Sequence, residues 1–334
     1  MPPLSSLQGI SPDLLAALSL KFPTIEAFLI SEHANESNVS GEIQRVLECI
    51  ASQCAPPMQI GLSLYLSLLD EKTAPRILPT GISSLDSLLG GGLREGFVTE
   101  LVGETTSGKT QICHQLAAIT SLRGELVVYV DTTNSFSPER CLSIARSNNM
   151  QEDENQEQGG IGFDAEGCLE RILVFRPHSH VELMMQLETC ASDLHHATKE
   201  RALRLPSVLI IDSISAILAP ISGTRKHAQG DAIMLAVSGM VKDLIKRHQM
   251  ACLWTCHVSY SSLAGSGDQK PFVRPALGDI WRNQASTRLT LSLLNKEVGV
   301  RVAEQTQSPN QASGSCAYFA ISEGGVVSVT LKTR

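Results

Sequence analysis

The sequence predicts an α/β core, a mostly parallel sheet with flanking helices, joined to a small all-α N-terminal domain. Three observations predict it. From Gly81 onward, short and continuously apolar segments such as 126–130 and 208–211 alternate with stretches of helical spacing. That is the pattern of parallel strands buried on both faces. Residues 1–70 carry helical spacing and no strand pattern. Between the two lies Gly103-Glu104-Thr105-Thr106-Ser107-Gly108-Lys109-Thr110, which fits G-x-x-x-x-G-K-[ST] with a strand pattern before it and a helical one after it.

The whole-chain numbers bound the reading. A chain of 334 residues allows one large domain and one small one. Its hydrophobic content of 43% supports a packed core. No apolar run approaches the ~18 residues of a membrane span, and the N-terminus has no signal-peptide pattern, so no membrane partner is expected. Nine cysteines occur without a C-x-x-C pair, which reads as buried or incidental thiols of a reducing compartment rather than a zinc site or a disulfide frame. A formal charge of −7 argues against a surface that grips duplex DNA all round. Any nucleic-acid contact must be local.

In chain order, Leu14, Leu15 and Leu18, then Ile25 and Phe28, then Ile43, Val46, Leu47 and Ile50 fall at helical intervals within 1–70. Ser11-Pro12-Asp13 is a helix start with proline near the first position. This domain reads equally as a docking or DNA-contact module or as a folded appendage. Residues 71–80, with Pro75 and Pro79, form a linker. The core then runs over 81–334. It begins with a short helix closed by Gly90-Gly91-Gly92, continues through strand 97–102, the glycine loop and helix 111–122, and reaches strand 126–130 ending at Asp131. Helix 138–148 follows, then an acidic, Gln-rich insertion near 151–168, of which 151–160 reads as a disordered surface loop. Strand 172–175, helix 181–197, strand 208–211, helix 231–248 and strand 252–255 complete the alternation. From Thr287 the period shortens to two, which predicts antiparallel strands at the far edge of the sheet.

Ligands of such sheets sit at the carboxyl ends of the strands. The glycines of 103–110 let backbone N–H groups close around phosphate oxygens at a helix N-terminus. Lys109 would reach the β- and γ-phosphates, and the Thr110 hydroxyl would ligate Mg²⁺. Asp212, after four apolar residues, suits the carboxylate that holds the Mg²⁺ shell from the opposite side. The ligands expected from these residues are therefore a nucleotide and Mg²⁺.

Beyond the loop, Leu78-Pro79-Thr80-Gly81, Leu85 to Leu89, Gly91 to Gly96, Thr99 to Val102, Tyr129-Val130-Asp131-Thr132, Pro138-Glu139-Arg140, Arg274 to Gly278 and Phe319-Ala320-Ile321 resemble the RecA/Rad-type DNA recombinases. The resemblance is to their paralogue branch, and most to the D-type paralogues, on Pro275 to Trp281 and on His257. It covers about 78–330 and implies a RecA-like P-loop core, ATP and Mg²⁺ as cofactors, and a role in homologous recombination repair in the nucleus. It implies other recombinase paralogues and single-stranded DNA as partners. It places Arg140 on the adenine, and two DNA-facing loops at 220–230 and 259–275, with Arg225, Lys226, Lys270 and Arg274 as contacts.

The departures shape the expected activity. Thr133 stands where active relatives carry the glutamate that orients the attacking water, and a threonine is no base near neutral pH. Cys256-His257 replaces the Asn-Gln that links nucleotide state to the DNA loop. No Phe-x-x-Ala hook for self-assembly exists in the chain. A weak ATPase inside a hetero-oligomer is the expectation. An autonomous strand-exchange ATPase and a P-loop kinase of a small molecule are the alternatives.

Overall fold

The computed structural model describes residues 4–22, 24–31, 41–54, 60–69, 74–153, 165–200, 206–222, 227–261, 272–295 and 299–330. The chain forms two compact units, Met1–Ala74 and Pro75–Arg334.

The first unit is helical: α1 (Pro12–Lys21), α2 (Ile25–Ile30), α3 (Gly41–Cys54) and α4 (Gly61–Leu69) follow a short 3₁₀ turn. Thr24 caps α2, its Oγ1 accepting from Ala27 N at 3.2 Å. Leu4, Leu7, Ile25, Phe28, Val46 and Ile50 form its core, with Phe22 edge-on to Phe28 at 5.6 Å. On α4, Leu62, Tyr65, Leu66 and Leu69 are exposed rather than turned into a core.

The second unit opens with a two-stranded antiparallel ribbon of β1 (Ile77–Leu78) and β2 (Leu93–Arg94) around α5 (Ser83–Leu89). Gly90, in the left-handed region at φ 73°, ends α5. The remaining strands are β3 (Val98–Gly103), β4 (Leu126–Asp131), β5 (Ile172–Phe175), β6 (Pro206–Asp212), β7 (Ala251–Cys256), β8 (Val258–Ser261), β9 (Phe272–Pro275), β10 (Thr287–Asn295), β11 (Val300–Gln307), β12 (Cys316–Ser322) and β13 (Gly325–Ser328). The helices between them are α6 (Lys109–Leu122), α7 (Pro138–Asp153), α8 (Ala165–Glu170), α9 (His180–Glu200), α10 (Ile214–Ser222), α11 (His227–Arg247) and α12 (Gly278–Trp281). Nine strands form one sheet in the order β13-β12-β11-β10-β3-β7-β6-β4-β5.

The mostly parallel sheet with flanking helices agrees with the sequence pattern. Alternate residues of each central strand serve opposite layers, as a period of two requires. Val127, Tyr129, Val208 and Ile210 pack with Ile112, Leu116 and Ile144 of α6 and α7. Val128, Val130, Leu209 and Ile211 pack with Leu183, Val237 and Val241 of α9 and α11. Both layers are apolar, which is why these strands read as continuous hydrophobic runs. Among the described residues no helix is long and apolar enough to cross a membrane.

Several expectations are corrected. Strand β10 alternates buried Leu289 and Leu291 with more exposed positions, yet it runs parallel to β3 and only then antiparallel to β11. Alternation reports one solvated face; strand direction is set by the connection that delivers it. Helix α7 continues to Asp153 instead of ending at 148, since Gln and Glu propagate a helix well. Helix α11 begins at His227, and α10 runs through Pro220, so the expected 220–230 loop is mostly helix. The expected 259–275 loop contributes β8 and β9, which pair as a ribbon. Residues 154–164, within the expected insertion, lie outside the described residues.

Candidate nucleotide site

Strand β3 ends at Gly103, and α6 begins at Lys109. The loop between them turns through two left-handed positions, Thr106 at φ 72° and Gly108 at φ 102°. A side chain at Gly103 would meet Leu291 O and Ser107 Oγ at 2.6 Å, so the strand end tolerates no Cβ. Lys109 is 6% exposed. Its Nζ donates to Gly103 O at 2.7 Å and Glu104 O at 2.8 Å, so the ammonium is folded back over the loop. Burial pushes its pKa below the usual lysine value, and Asp212 pulls the other way.

Asp212 ends β6 directly opposite Asp131 of β4. It is 2% exposed. Thr255 Oγ1 donates to its Oδ1 at 2.6 Å, and the Tyr129 hydroxyl to its Oδ2 at 3.3 Å. With Ser135 Oγ donating to Oδ2 at 3.5 Å, three hydroxyls orient a buried carboxylate that faces the same cavity as Lys109. Asp131 has a different task. Its Oδ1 accepts from Thr133 N at 3.3 Å and Ser135 N at 2.9 Å, and its Oδ2 from Phe136 N at 3.1 Å. It shapes the turn that sets Thr133 on the cavity wall, where the Thr133 hydroxyl donates to Ser135 Oγ at 2.8 Å. Below this turn His114 stacks with Tyr129, and its Nε2 accepts from Ser137 N at 3.0 Å.

The cavity measures about 940 Å³. It brings together Thr105, Thr106, Gly108, Lys109, Thr110, Gln111, Thr133, Arg140, Asp212, Ser213, His257, Arg301, Ile321, Ser322 and Glu323. Of the sequence candidates, Gly103, Glu104 and Ser107 belong to the loop itself. Arg140 is fixed on three sides: Nε donates to Gln111 Oε1 at 2.8 Å, Nη2 to Ser322 O at 2.7 Å, and Nη1 to Glu323 O. His257 sits where β7 passes into the β8–β9 ribbon, with its backbone N–H on Ser215 Oγ at 2.9 Å. Burial and the nearby Lys109 lower its pKa, while Asp212 opposes them.

The donor set fits a nucleoside polyphosphate with Mg²⁺. Ser107 Oγ is buried with no hydrogen-bond partner, and a lysine and a helix N-terminus meet at the loop. Among the described residues no group of three or more His, Cys, Asp or Glu could hold a metal alone. That suits Mg²⁺, which takes one or two protein ligands and shares the rest with water and phosphate.

Of the remaining candidates, Arg225, Lys226 and Lys270 lie outside the described residues. Arg274 is on β9, in register with Ser259 of β8. Sequence reasoning missed the wall opposite the loop as a site: Ile321 stood only within the Phe319-Ala320-Ile321 resemblance, and Arg301, Ser322 and Glu323 carry no local motif, the pairing of β10, β11 and β12 being what delivers them.

With this geometry in hand, comparisons with known proteins are consistent in kind. The profile of the Rad51 family matches residues 74–329. The chain is 31% identical over 258 residues to the DNA repair protein RAD51 homolog 4 of Bos taurus, covering 76% of this chain and 73% of that one. It is 33% identical over 269 residues to the DNA repair and recombination protein RadA of Methanoculleus marisnigri, with 78% of each covered. It is 27% identical over 332 residues to the meiotic recombination protein DLH1 of Candida albicans, covering 96% and 94%. The chain belongs to the Rad51 family.

Proposed function

We propose that this chain is an ATP-binding recombinase paralogue of homologous recombination and double-strand break repair. It helps a strand-exchange filament assemble or persist on single-stranded DNA, inside a hetero-oligomer of recombinase paralogues in the nucleus. One observation carries the reading: a single cavity joins Lys109, Thr110, Thr133, Arg140 and Asp212. The printed names of the relatives, repair and recombination proteins, agree in kind.

The loop amides and Lys109 hold the phosphates, and Thr110 and Asp212 hold Mg²⁺ with its waters. Bound Mg²⁺ supplies charge neutralisation along the phosphate chain. Arg140, locked by Gln111 and two backbone carbonyls, presents a fixed guanidinium plane to the adenine. Thr133 can position a water without taking its proton, so bound ATP turns over slowly. Arg225, Lys226, Lys270 and Arg274 contact DNA phosphates, which makes DNA binding fall as salt rises.

Purification from native cells with identification of co-purifying chains tests the assembly, and electron microscopy with single-stranded DNA tests the filament role. Other recombinase paralogues should co-purify, and the pure chain should form no regular filament. Filaments built by this chain alone would overturn the proposal.

A further inference from the structure

A half-buried guanidinium with no carboxylate partner among the described residues stands at the edge of the phosphate loop. Arg301, on β11, donates from Nε to Thr106 O at 3.2 Å and from Nη1 to Gly299 O at 2.7 Å. Both acceptors are neutral. Among the described residues none of the ion pairs involves it. Burial without a countercharge lowers its pKa from the ordinary arginine value, although an arginine in a protein keeps its charge. The carboxylates of the same cavity, Asp212 and Glu323, make no ion pair with it, so its contacts leave its charge free to meet an anion.

The fold explains how it gets there. Strand β10 sets Leu291 beside Gly103, and β11 sets Arg301 opposite Leu293. The arginine therefore crosses from the antiparallel side of the sheet onto the loop. A Cβ at Gly108 would lie 3.2 Å from Arg301 Cδ, so the methylene stem packs on the glycine and carries the guanidinium to the cavity that Lys109 also lines. Lys109, Arg140 and Arg301 thus line one space with a helix N-terminus and the Asp212 and Glu323 carboxylates, and Lys109 and Arg301 are the cations beside the phosphate loop, where an anion would offset their charge.

We propose that Arg301 is a further nucleotide-binding residue, contributing positive charge to the phosphates of a nucleoside polyphosphate held by the loop. The inference rests on the reading of the cavity as a nucleotide site. It differs from a purely structural tie to Thr106 O, because a neutral donor could make that tie equally well.

The test is titration of the full chain with MgATP, for wild type, Arg301→Lys, Arg301→Gln and Lys109→Ala, with thermal melting of each in the absence of nucleotide. Arg301→Lys should stay within about threefold of wild type, and Arg301→Gln should bind about tenfold more weakly, the scale of one charge-assisted contact. Melting without nucleotide should be the same for both variants. Arg301→Gln with wild-type affinity, or Arg301→Lys no better than Arg301→Gln, overturns the proposal. Should Arg301→Gln fail to fold, Arg301→Met, which keeps the apolar stem on Gly108, takes its place with the same expected loss of about tenfold, and wild-type affinity in it overturns the proposal. A wild-type chain with no saturable MgATP binding, indistinguishable from Lys109→Ala, removes the nucleotide reading itself and the inference with it.

Discussion

Trp254 and Trp281, the two tryptophans of the chain, donate to the same oxygen: Glu100 Oε1 accepts from Trp254 Nε1 at 3.0 Å and Trp281 Nε1 at 2.9 Å. Their rings lie 5.0 Å apart. Arg288 Nε donates to the other carboxylate oxygen at 2.5 Å. The cluster joins β3, β7, β10 and α12 at full burial, one strand turn before the phosphate loop begins. Glu100→Ala leaves Arg288 without its charge partner and two indole N–H groups without an acceptor. It should cost about 3–5 kcal/mol, the usual result of halving a buried pair. Urea unfolding followed by tryptophan emission checks this, and an unchanged midpoint would refute it.

Nucleotide binding should separate the roles of two residues. Lys109→Ala weakens nucleotide with or without Mg²⁺ by roughly 1.5–3 kcal/mol, one charge-assisted contact. Asp212→Asn should weaken only the Mg²⁺-dependent part. Thermal shifts with ATP, with and without Mg²⁺, measure both. Equal shifts in wild type and Lys109→Ala would sink the assignment.

Stability should fall on mild acidification through His114. Burial lowers its pKa from 6.5 in the folded chain. As pH drops, the unfolded chain therefore takes the proton first, and stability is lost from about 6.5 down to the lowered folded value. Above that window the ring is neutral in both states and contributes no slope. Urea midpoints across this range should change less in His114→Gln than in wild type. Parallel slopes would show that His114 is not responsible.

Hydrolysis should be slow for want of a base at Thr133. A positioned general base contributes about 10²–10⁴-fold, so Thr133→Glu should raise single-turnover hydrolysis with single-stranded DNA by up to about 10²-fold. Wild-type turnover as fast as that of a glutamate-bearing relative would defeat the argument.

What the sequence disclosed depended on how local the signal was. The loop at 103–110 and the strand-end Asp212 were legible because each needs only its own neighbours in the chain. The helical faces of α6 and α11 followed from periodicity. Arg301 and the Ser322–Glu323 wall were not legible, because strand register puts them beside the loop and register is a long-range property. The Glu100 cluster was hidden for the same reason: its members come from four elements, and a lone glutamate in an apolar strand gives no sign of its partners. The two small ribbons escaped notice because two to four residues are too few for a period.

Strand β3 lies between β7 and β10 in the sheet, and both neighbours come late in the chain. During synthesis the strand that leads into the phosphate loop therefore has no partner until Ala251 and beyond have emerged. At ~5–20 residues per second this delay is on the order of ten seconds. A nascent chain in that interval carries an apolar strand with two open edges, which makes it a client for chaperones. Premature termination anywhere before β10 would leave the loop without the backbone that walls it, so no such fragment, however long, could inherit the nucleotide site.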